Sequence, residues 1–404
     1  SSYHLGDECS NECKKDSLNV PKLRFKGYNE EWKKIKLGEH LNICRGASPR
    51  PIEKYITMQS NGINWIKIGD ISPKENVIKT TKEKITEEGA KHSRYVRKGD
   101  LILSNSMSFG RPYILEIDGC IHDGWLLIQD LEKLFDKKYL CYLLDSDTVK
   151  HQYRKYAAGG VVINLNSELV RSVSVFIPKV QEQEKIAAFL TLIDKKIEKQ
   201  KELVELLKKY KRGLLSQVFS QKLRFKDNNG NDYPSWEEKY IQDVCSITTG
   251  KGNTQDKEEN GVYPFYVRSP IVEKSNKYIF DGEAVLTVGD GVGTGKVFHY
   301  VNGKFNFHQR VYKMSNFSGI NGRYFYYYFS THFYDRVKRM TAKTSVDSVR
   351  MDMIAKMPIF IPTNAEQDKI INLLTNIENI FLKNKNLLLL LQECKKGLLQ
   401  QMFI

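Results

Sequence analysis

Residues 176–186 read Phe176-Ile177-Pro178-Lys179-Val180-Gln181-Glu182-Gln183-Glu184-Lys185-Ile186, and residues 360–370 read Phe360-Ile361-Pro362-Thr363-Asn364-Ala365-Glu366-Gln367-Asp368-Lys369-Ile370. The identical residues lie 184 apart, as do Lys211-Arg212-Gly213-Leu214-Leu215 and Lys395-Lys396-Gly397-Leu398-Leu399 further on. A constant period of this length marks a duplicated domain with its connector, not a solenoid of short repeats.

Upstream, Leu23-Arg24-Phe25-Lys26 returns as Leu223-Arg224-Phe225-Lys226, and the spacing of fourteen from Trp32 to Gly46 recurs from Trp236 to Gly250. Each unit therefore opens on Leu-Arg-Phe-Lys, runs through a globular region and closes on a helix. The expected organisation is an unassigned tail over 1–19, domains over 20–180 and 220–362, and long helices over 181–219 and 363–404.

The helices follow from periodicity. Ile186, Leu190, Ile193, Ile197, Gln200, Val204, Leu207, Lys211, Leu214 and Val218 alternate spacings of four and three, and so do Ile370, Leu374, Ile377, Phe381, Asn384, Leu388, Leu391, Lys395, Leu398 and Met402. This is a coiled-coil seam. Its polar rungs coincide, Gln200 with Asn384 and Lys211 with Lys395. Polar seam residues penalise wrong registers, so the pattern predicts that the helices pair with each other; the alternative is two helices each packed on its own domain. Each would run for ~55 Å. Antiparallel pairing would relate the two units by a pseudo-twofold axis matching that of a DNA duplex backbone.

The chain has 404 residues, enough for at least two cores, and a formal charge of +15. Both globular stretches are net basic, which points to a polyanionic partner. Seven cysteines without paired spacing indicate neither a disulfide framework nor a zinc site. The longest aliphatic run, Leu387 to Leu391, is far too short for a membrane span, and the first twenty residues are polar and acidic, unlike a signal peptide. The expectation is a reduced, soluble, cytoplasmic protein with no membrane partner.

Both domains are expected to be mixed α/β (α+β) with many short strands. Leu101-Ile102-Leu103 and Ala284-Val285-Leu286 read as buried strands, and Tyr139–Leu144 and Tyr324–Phe329 as buried helices. Candidate DNA-contacting residues lie between them. In the first domain these are Arg45, Ser48 and Arg50, Lys67, Ser104, Asn105 and Ser106, Arg111, His122 and Asp123, and Lys155. In the second they are Lys251 and Asn253, Arg268, Asp290, Lys296, His308, Gln309 and Arg310, and Lys343, Thr344 and Ser345. Arg suits guanine, Asn or Gln suits adenine, and Lys, Ser or Thr suits phosphate. Taken singly, any of these is as well explained as a solvated loop residue.

Gly289-Asp290-Gly291-Val292-Gly293-Thr294-Gly295-Lys296-Val297 invites a phosphate-loop reading, but Asp290 and Val297 occupy the positions where such a loop requires Gly and Ser or Thr. A glycine-rich turn between strands is expected instead. No Gly-Lys-Ser or Gly-Lys-Thr, no Pro-Pro of an adenine methyltransferase signature, no nucleophile elbow and no His-Glu-x-x-His occurs. Neither a catalytic nor a metal-ligating residue is assigned.

The tandem plan, with Ile177-Pro178, Glu182-Gln183 and Lys185-Ile186 repeated as Ile361-Pro362, Glu366-Gln367 and Lys369-Ile370, resembles the specificity subunit of a type I restriction-modification system. Asn64-Trp65-Ile66-Lys67-Ile68-Gly69-Asp70-Ile71, Gly99-Asp100-Leu101 and Gly282-Glu283-Ala284-Val285-Leu286 add to the likeness, which covers nearly everything from Val20 to Ile404. Tyr263-Pro264-Phe265-Tyr266-Val267-Arg268 stands where the first copy has Trp65 to Asp70, a divergence suited to unlike half-sites. The resemblance implies a non-catalytic subunit with two target recognition domains reading a bipartite duplex, and an antiparallel helix pair setting the unread gap. It also implies two modification (methyltransferase) subunits and restriction/translocase subunits as partners. S-adenosylmethionine, ATP and Mg²⁺ would belong to those partners, with no cofactor in this chain. The rival readings are a self-contained methyltransferase or nuclease with an unrecognised site, and an RNA-binding coiled-coil scaffold.

Overall fold

The computed structural model describes residues 19–404 apart from 72–76, 106–109, 158–164, 292 and 342–347. The chain divides into two compact units, one running to Lys199 and including Leu388–Ile404, the other Gln200–Leu387. The cuts fall inside the two long helices, Val180–Phe219 and Asn364–Met402.

In the first unit, strand Lys33–Lys36 pairs antiparallel with Ser174–Ile177, joining the beginning of the domain to its end. Between them lie two five-stranded sheets. One has the order Ile56–Thr57, Glu83–Ile85, Ile63–Ile66, Gly119–Ile121, Arg94–Val96; the other runs Asn42–Arg45, Trp125–Gln129, Leu101–Ser104, Pro112–Leu115, Val77–Ile78. The second unit repeats the closure, with Glu237–Tyr240 against Pro358–Ile361. Its six-stranded sheet runs Ser246–Thr249, Val311–Ser315, Phe280–Val288, Phe298–Phe307, Tyr263–Tyr266, Val272–Ser275. The ten-residue strand Phe298–Phe307 spans what two separate strands, Pro112–Leu115 and Gly119–Ile121, do in the first copy. The strands expected around Leu101-Ile102-Leu103 and Ala284-Val285-Leu286 extend over Leu101–Ser104 and Phe280–Val288, and the helices expected around Tyr139–Leu144 and Tyr324–Phe329 over Lys137–Asp145 and Gly322–Thr341.

The repeated motif has a physical role. Arg24 donates two hydrogen bonds of 2.8 Å to Glu182, and Arg224 two of 2.9 Å to Glu366. Both glutamates are buried. Such forked, charge-assisted bonds are the strong kind, and here each fastens the domain entrance to the first turn of its long helix. The carboxylates hold both guanidiniums above the usual arginine range, chiefly through these hydrogen bonds. The neighbouring glutamines complete the joint. Gln183 accepts from the Asp136 N–H and donates to the Leu134 and Pro178 carbonyls, whereas Gln367 accepts from the Asn321 N–H and donates to the Pro362 carbonyl. Each glutamine thus anchors the start of the aromatic helix that packs behind it.

Each core takes in both ends of the helical system. Ile186 and Leu190 share a cluster with Met402 and Phe403 in the first unit, and Ile370, Leu374 and Ile377 share one with Leu214, Val218 and Phe219 in the second. All twenty seam positions are buried or half-buried. Within the second unit Gln200 Nε2 donates to Asn384 Oδ1 at 3.0 Å, and Lys211 Nζ meets Glu378 Oε1 at 2.5 Å, so the segments pass in opposite directions. Within the first unit Lys395 Nζ meets Asp194 Oδ1 at 2.6 Å. Tyr142 donates to Asp194 and Tyr327 to Glu378, giving the same Lys–acid–Tyr cluster in each unit. The rung Lys211 therefore pairs with Glu378, not with its sequence counterpart Lys395; like charges repel, and each finds a carboxylate.

Two stability predictions follow from these joints. Arg224→Ala leaves Glu366 buried without its cation and is expected to destabilise the second unit by about 3–5 kcal/mol, read from the urea midpoint. The double change Gln200→Leu with Asn384→Leu is expected to raise the melting temperature, because it replaces a seam amide pair by apolar contact; a fall would show that the amide pair stabilises the fold.

Candidate nucleic-acid interface

One turn is built identically in both units. Strand Gly119–Ile121 runs parallel to Ile63–Ile66, with Ile121 opposite Ile66, and delivers His122, whose N–H donates to the Ile66 carbonyl at 3.1 Å. Phe307 lies opposite Tyr266 in the same way, and the His308 N–H donates to the Tyr266 carbonyl at 2.9 Å. The imidazole then closes the turn: His122 Nδ1 accepts from the Gly124 N–H at 2.9 Å, His308 Nδ1 from the Arg310 N–H at 3.0 Å. Accepting at Nδ1 requires the Nε2–H tautomer in the neutral ring. Burial, with Arg268 and Arg310 nearby, holds the His308 pKa below the usual histidine range, so the folded loop favours this neutral form.

A glycine makes room for each turn. A Cβ on Gly46 would collide with the His122 carbonyl oxygen, and one on Gly250 with the Phe307 carbonyl oxygen. The recurring Trp-to-Gly spacing therefore places a side-chain-free residue against the turn. The strand register also corrects the expected alignment of the divergent segments. Trp65 pairs with Cys120 and Phe265 with Asn306, so Trp65 corresponds to Phe265 and Arg268 to Ile68, two positions away from the match expected from the sequence.

Around the first turn, Asp123 is a hub. Its carboxylate lies 3.9 Å from Arg45 Nη2, 3.6 Å from Arg50 Nη2 and 2.9 Å from His122 Nε2, and accepts from Ser48 Oγ at 3.1 Å. Its carbonyl accepts from Arg45 Nε at 3.0 Å and from Asn105 Nδ2 at 2.9 Å. Six of the expected residues thus meet at one place: Arg45, Ser48, Arg50, Asn105, His122 and Asp123.

Around the second turn lies an open depression of about 490 Å³, lined by Asn253, Thr254, Gln255, Arg268, Asp290, His308, Gln309 and Arg310. Asp290 stands between two guanidiniums, 3.6 Å from Arg268 Nη1 and 3.6 Å from Arg310 Nε. Thr254 and Gln255 went unread in the sequence. The polar run Asn253-Thr254-Gln255 directly after Gly252 was the available signal. In the first copy Arg94 was likewise passed over; its Nε donates to the Arg45 carbonyl at 2.6 Å.

Other expected residues stand apart from these clusters. Ser104 is completely buried and accepts from the Arg111 N–H at 3.1 Å, so it braces the loop and presents nothing to a ligand. Arg111 lies over the Tyr113 ring at 5.3 Å, and Lys67 pairs with Glu83 at 2.6 Å. Lys155 is exposed on the last turn of helix Asp147–Ala157, and Lys251 is exposed beside Gly250. Lys296 lies 5.1 Å over the Tyr334 ring, in a glycine-rich turn between the antiparallel strands Phe280–Val288 and Phe298–Phe307. A strand–turn–strand context is not that of a phosphate loop, which requires a following helix. Ser106, Lys343, Thr344 and Ser345 lie outside the described residues. Among the described residues, no three His, Cys, Asp or Glu side chains gather as a metal site, and no helix is long and apolar enough to cross a membrane.

The family described as type I restriction modification DNA specificity domain matches this chain twice, over residues 29–208 and 234–392. The chain is 24% identical over 251 residues to the type I restriction enzyme MjaIX specificity subunit of Methanocaldococcus jannaschii, covering 58% of this chain and 57% of that protein. It is 25% identical over 151 residues to the EcoDI specificity subunit of Escherichia coli, covering 36% and 32%. The chain thus spans little more than half the length of the curated relatives it matches, or less. Its fold is similar to that of the type I restriction-modification S subunit from M. genitalium, with a TM-score of 0.62 at 16% identity over 95% of this chain and 99% of that one. It is also similar to a chain from a structural study of complex assembly and conformational transition in the type I R-M system, with a TM-score of 0.58 at 15% identity over 92% and 97%. With matches in both halves that together take in most of its length, the chain belongs to the type I restriction modification DNA specificity domain family.

Proposed function

We propose that this chain is the non-catalytic sequence reader of a type I restriction-modification complex. The observation that carries the reading is the recurrence of one histidine turn, flanked in each unit by exposed arginines and in the second also by exposed amides, on two domains that are each net basic. Each unit reads one half of a bipartite duplex, with Arg, Asn and Gln directed to base edges and lysines such as Lys155, Lys251 and Lys296 to phosphate.

The two long helices form an antiparallel coiled coil that holds the half-sites at a set separation. Opposed segment directions within the second unit and the matched Lys–acid–Tyr clusters support this. Leu192, Leu203 and Leu206 on one helix and Leu387, Leu389 and Leu390 on the other are exposed off the seam, and such apolar surface suits the docking of two modification subunits, with restriction/translocase subunits joining them. Those partners supply S-adenosylmethionine, ATP and Mg²⁺ chemistry; the setting is the cytoplasm.

Binding of the purified chain to a split-site duplex, a scrambled duplex and RNA at matched salt tests the reading, and equal affinity for all three would overturn it. Turnover of DNA by the chain alone with S-adenosylmethionine or Mg²⁺ would instead make it an enzyme. Arg310→Ala is expected to cost about 1–3 kcal/mol on one half-site only, and Arg45→Ala the same on the other; a loss uniform over all duplexes would make them phosphate contacts. Inserting one heptad into 181–219 and its counterpart into 363–404 is expected to lengthen the tolerated gap, measured by binding to duplexes of graded spacing.

A further inference from the structure

The same three-group constellation occurs in both units but is assembled from positions that do not correspond. In the first unit the carboxylate is Asp123, on the histidine turn, and the two guanidiniums, Arg45 and Arg50, come from the strand end and loop around Gly46. In the second unit the histidine turn supplies a guanidinium, Arg310. The other, Arg268, follows strand Tyr263–Tyr266, and the carboxylate, Asp290, follows strand Phe280–Val288. Strand register makes Asp123 equivalent to Gln309 and Gly124 equivalent to Arg310, so duplication alone did not transmit the arrangement. Even the exposures agree: the carboxylates are 25% and 27% exposed, and every guanidinium is more than half exposed.

Folding does not account for it. Long, solvent-exposed ion pairs of this kind contribute little to stability. A carboxylate facing DNA also repels phosphate, so it lowers general affinity. It does gather two like-charged guanidiniums around one carboxylate while leaving each of them more than half exposed. Asp290 Oδ1 is in addition buried with no hydrogen-bond donor among the described residues.

The geometry points to Asp123 and Asp290 as specificity-determining positioning residues, each presenting a pair of arginines to a guanine-containing half-site. The inference rests on the duplex-reading function proposed above. Arg is the side chain that meets guanine O6 and N7 through two parallel donors, and a fixed guanidinium plane selects that pairing over looser contact with phosphate. Without the carboxylate, mutual repulsion frees the two arginines to turn toward the backbone, which binds any sequence.

Selection of the full-length chain against a pool of random-sequence duplex DNA tests this. Recovered duplexes are expected to carry at least one G·C pair in each half-site. Asp290→Asn is expected to relax the G·C preference in one half-site by about tenfold or more, leave the other unchanged, and leave affinity for unselected duplex equal or higher. Arg268→Lys and Arg310→Lys, which keep charge but lose the fork, are expected to relax the same half-site. Enriched half-sites without G·C pairs, or an Asp290→Asn protein weakened equally on every duplex, would overturn the positioning role while leaving duplex reading intact. Recovery of no preferred sequence would overturn the reader itself.

Discussion

The pair of forked ion pairs, Arg24 with Glu182 and Arg224 with Glu366, is the constraint on which the rest depends. Each ties the segment entering a domain to the helix leaving it, across more than a hundred intervening residues. Burying a carboxylate is costly unless it is paired and hydrogen-bonded, so the charge dictates where the entrance must lie. The adjacent glutamine does the same for the aromatic helix behind it. The intervening loops can then vary while the path into and out of the domain stays fixed.

The helices extend this logic. Lys211 with Glu378, and Lys395 with Asp194, are part-buried and each is flanked by a tyrosine hydroxyl, from Tyr327 and Tyr142 respectively. Such clusters tolerate little sliding, because a shift of one turn separates every member from its partner. The Gln200–Asn384 bond adds a third fixed point. Apolar seam residues alone would permit several registers of comparable energy; the polar ones select among them.

The histidine turns show a different economy of design. Each imidazole serves the backbone through Nδ1, which fixes the loop and leaves the neighbouring positions open to substitution. At those positions the first copy has Asp123 and Gly124, the second Gln309 and Arg310. A domain built this way can change the side chains it exposes there without disturbing how it folds.

The duplication, the two long helices with their seam and polar rungs, and one buried strand and one aromatic helix of each domain were legible in the chain, because they rest on local periodicity and spacing. The coming together of Arg45, Arg50 and Asp123, and of Arg268, Asp290 and Arg310, was not. The members of each set come from separate strands and loops and carry no shared period, and strand registers, antiparallel as well as parallel, bring them together. The same holds for Ser104, whose residue type suits a contact but whose place on a fully buried strand removes it. The sequence by itself therefore determined the frame, since periodic burial is a property of neighbouring residues. Which side chains face outward together was decided only by tertiary structure, since long-range hydrogen bonding sets the strand order and register that place them.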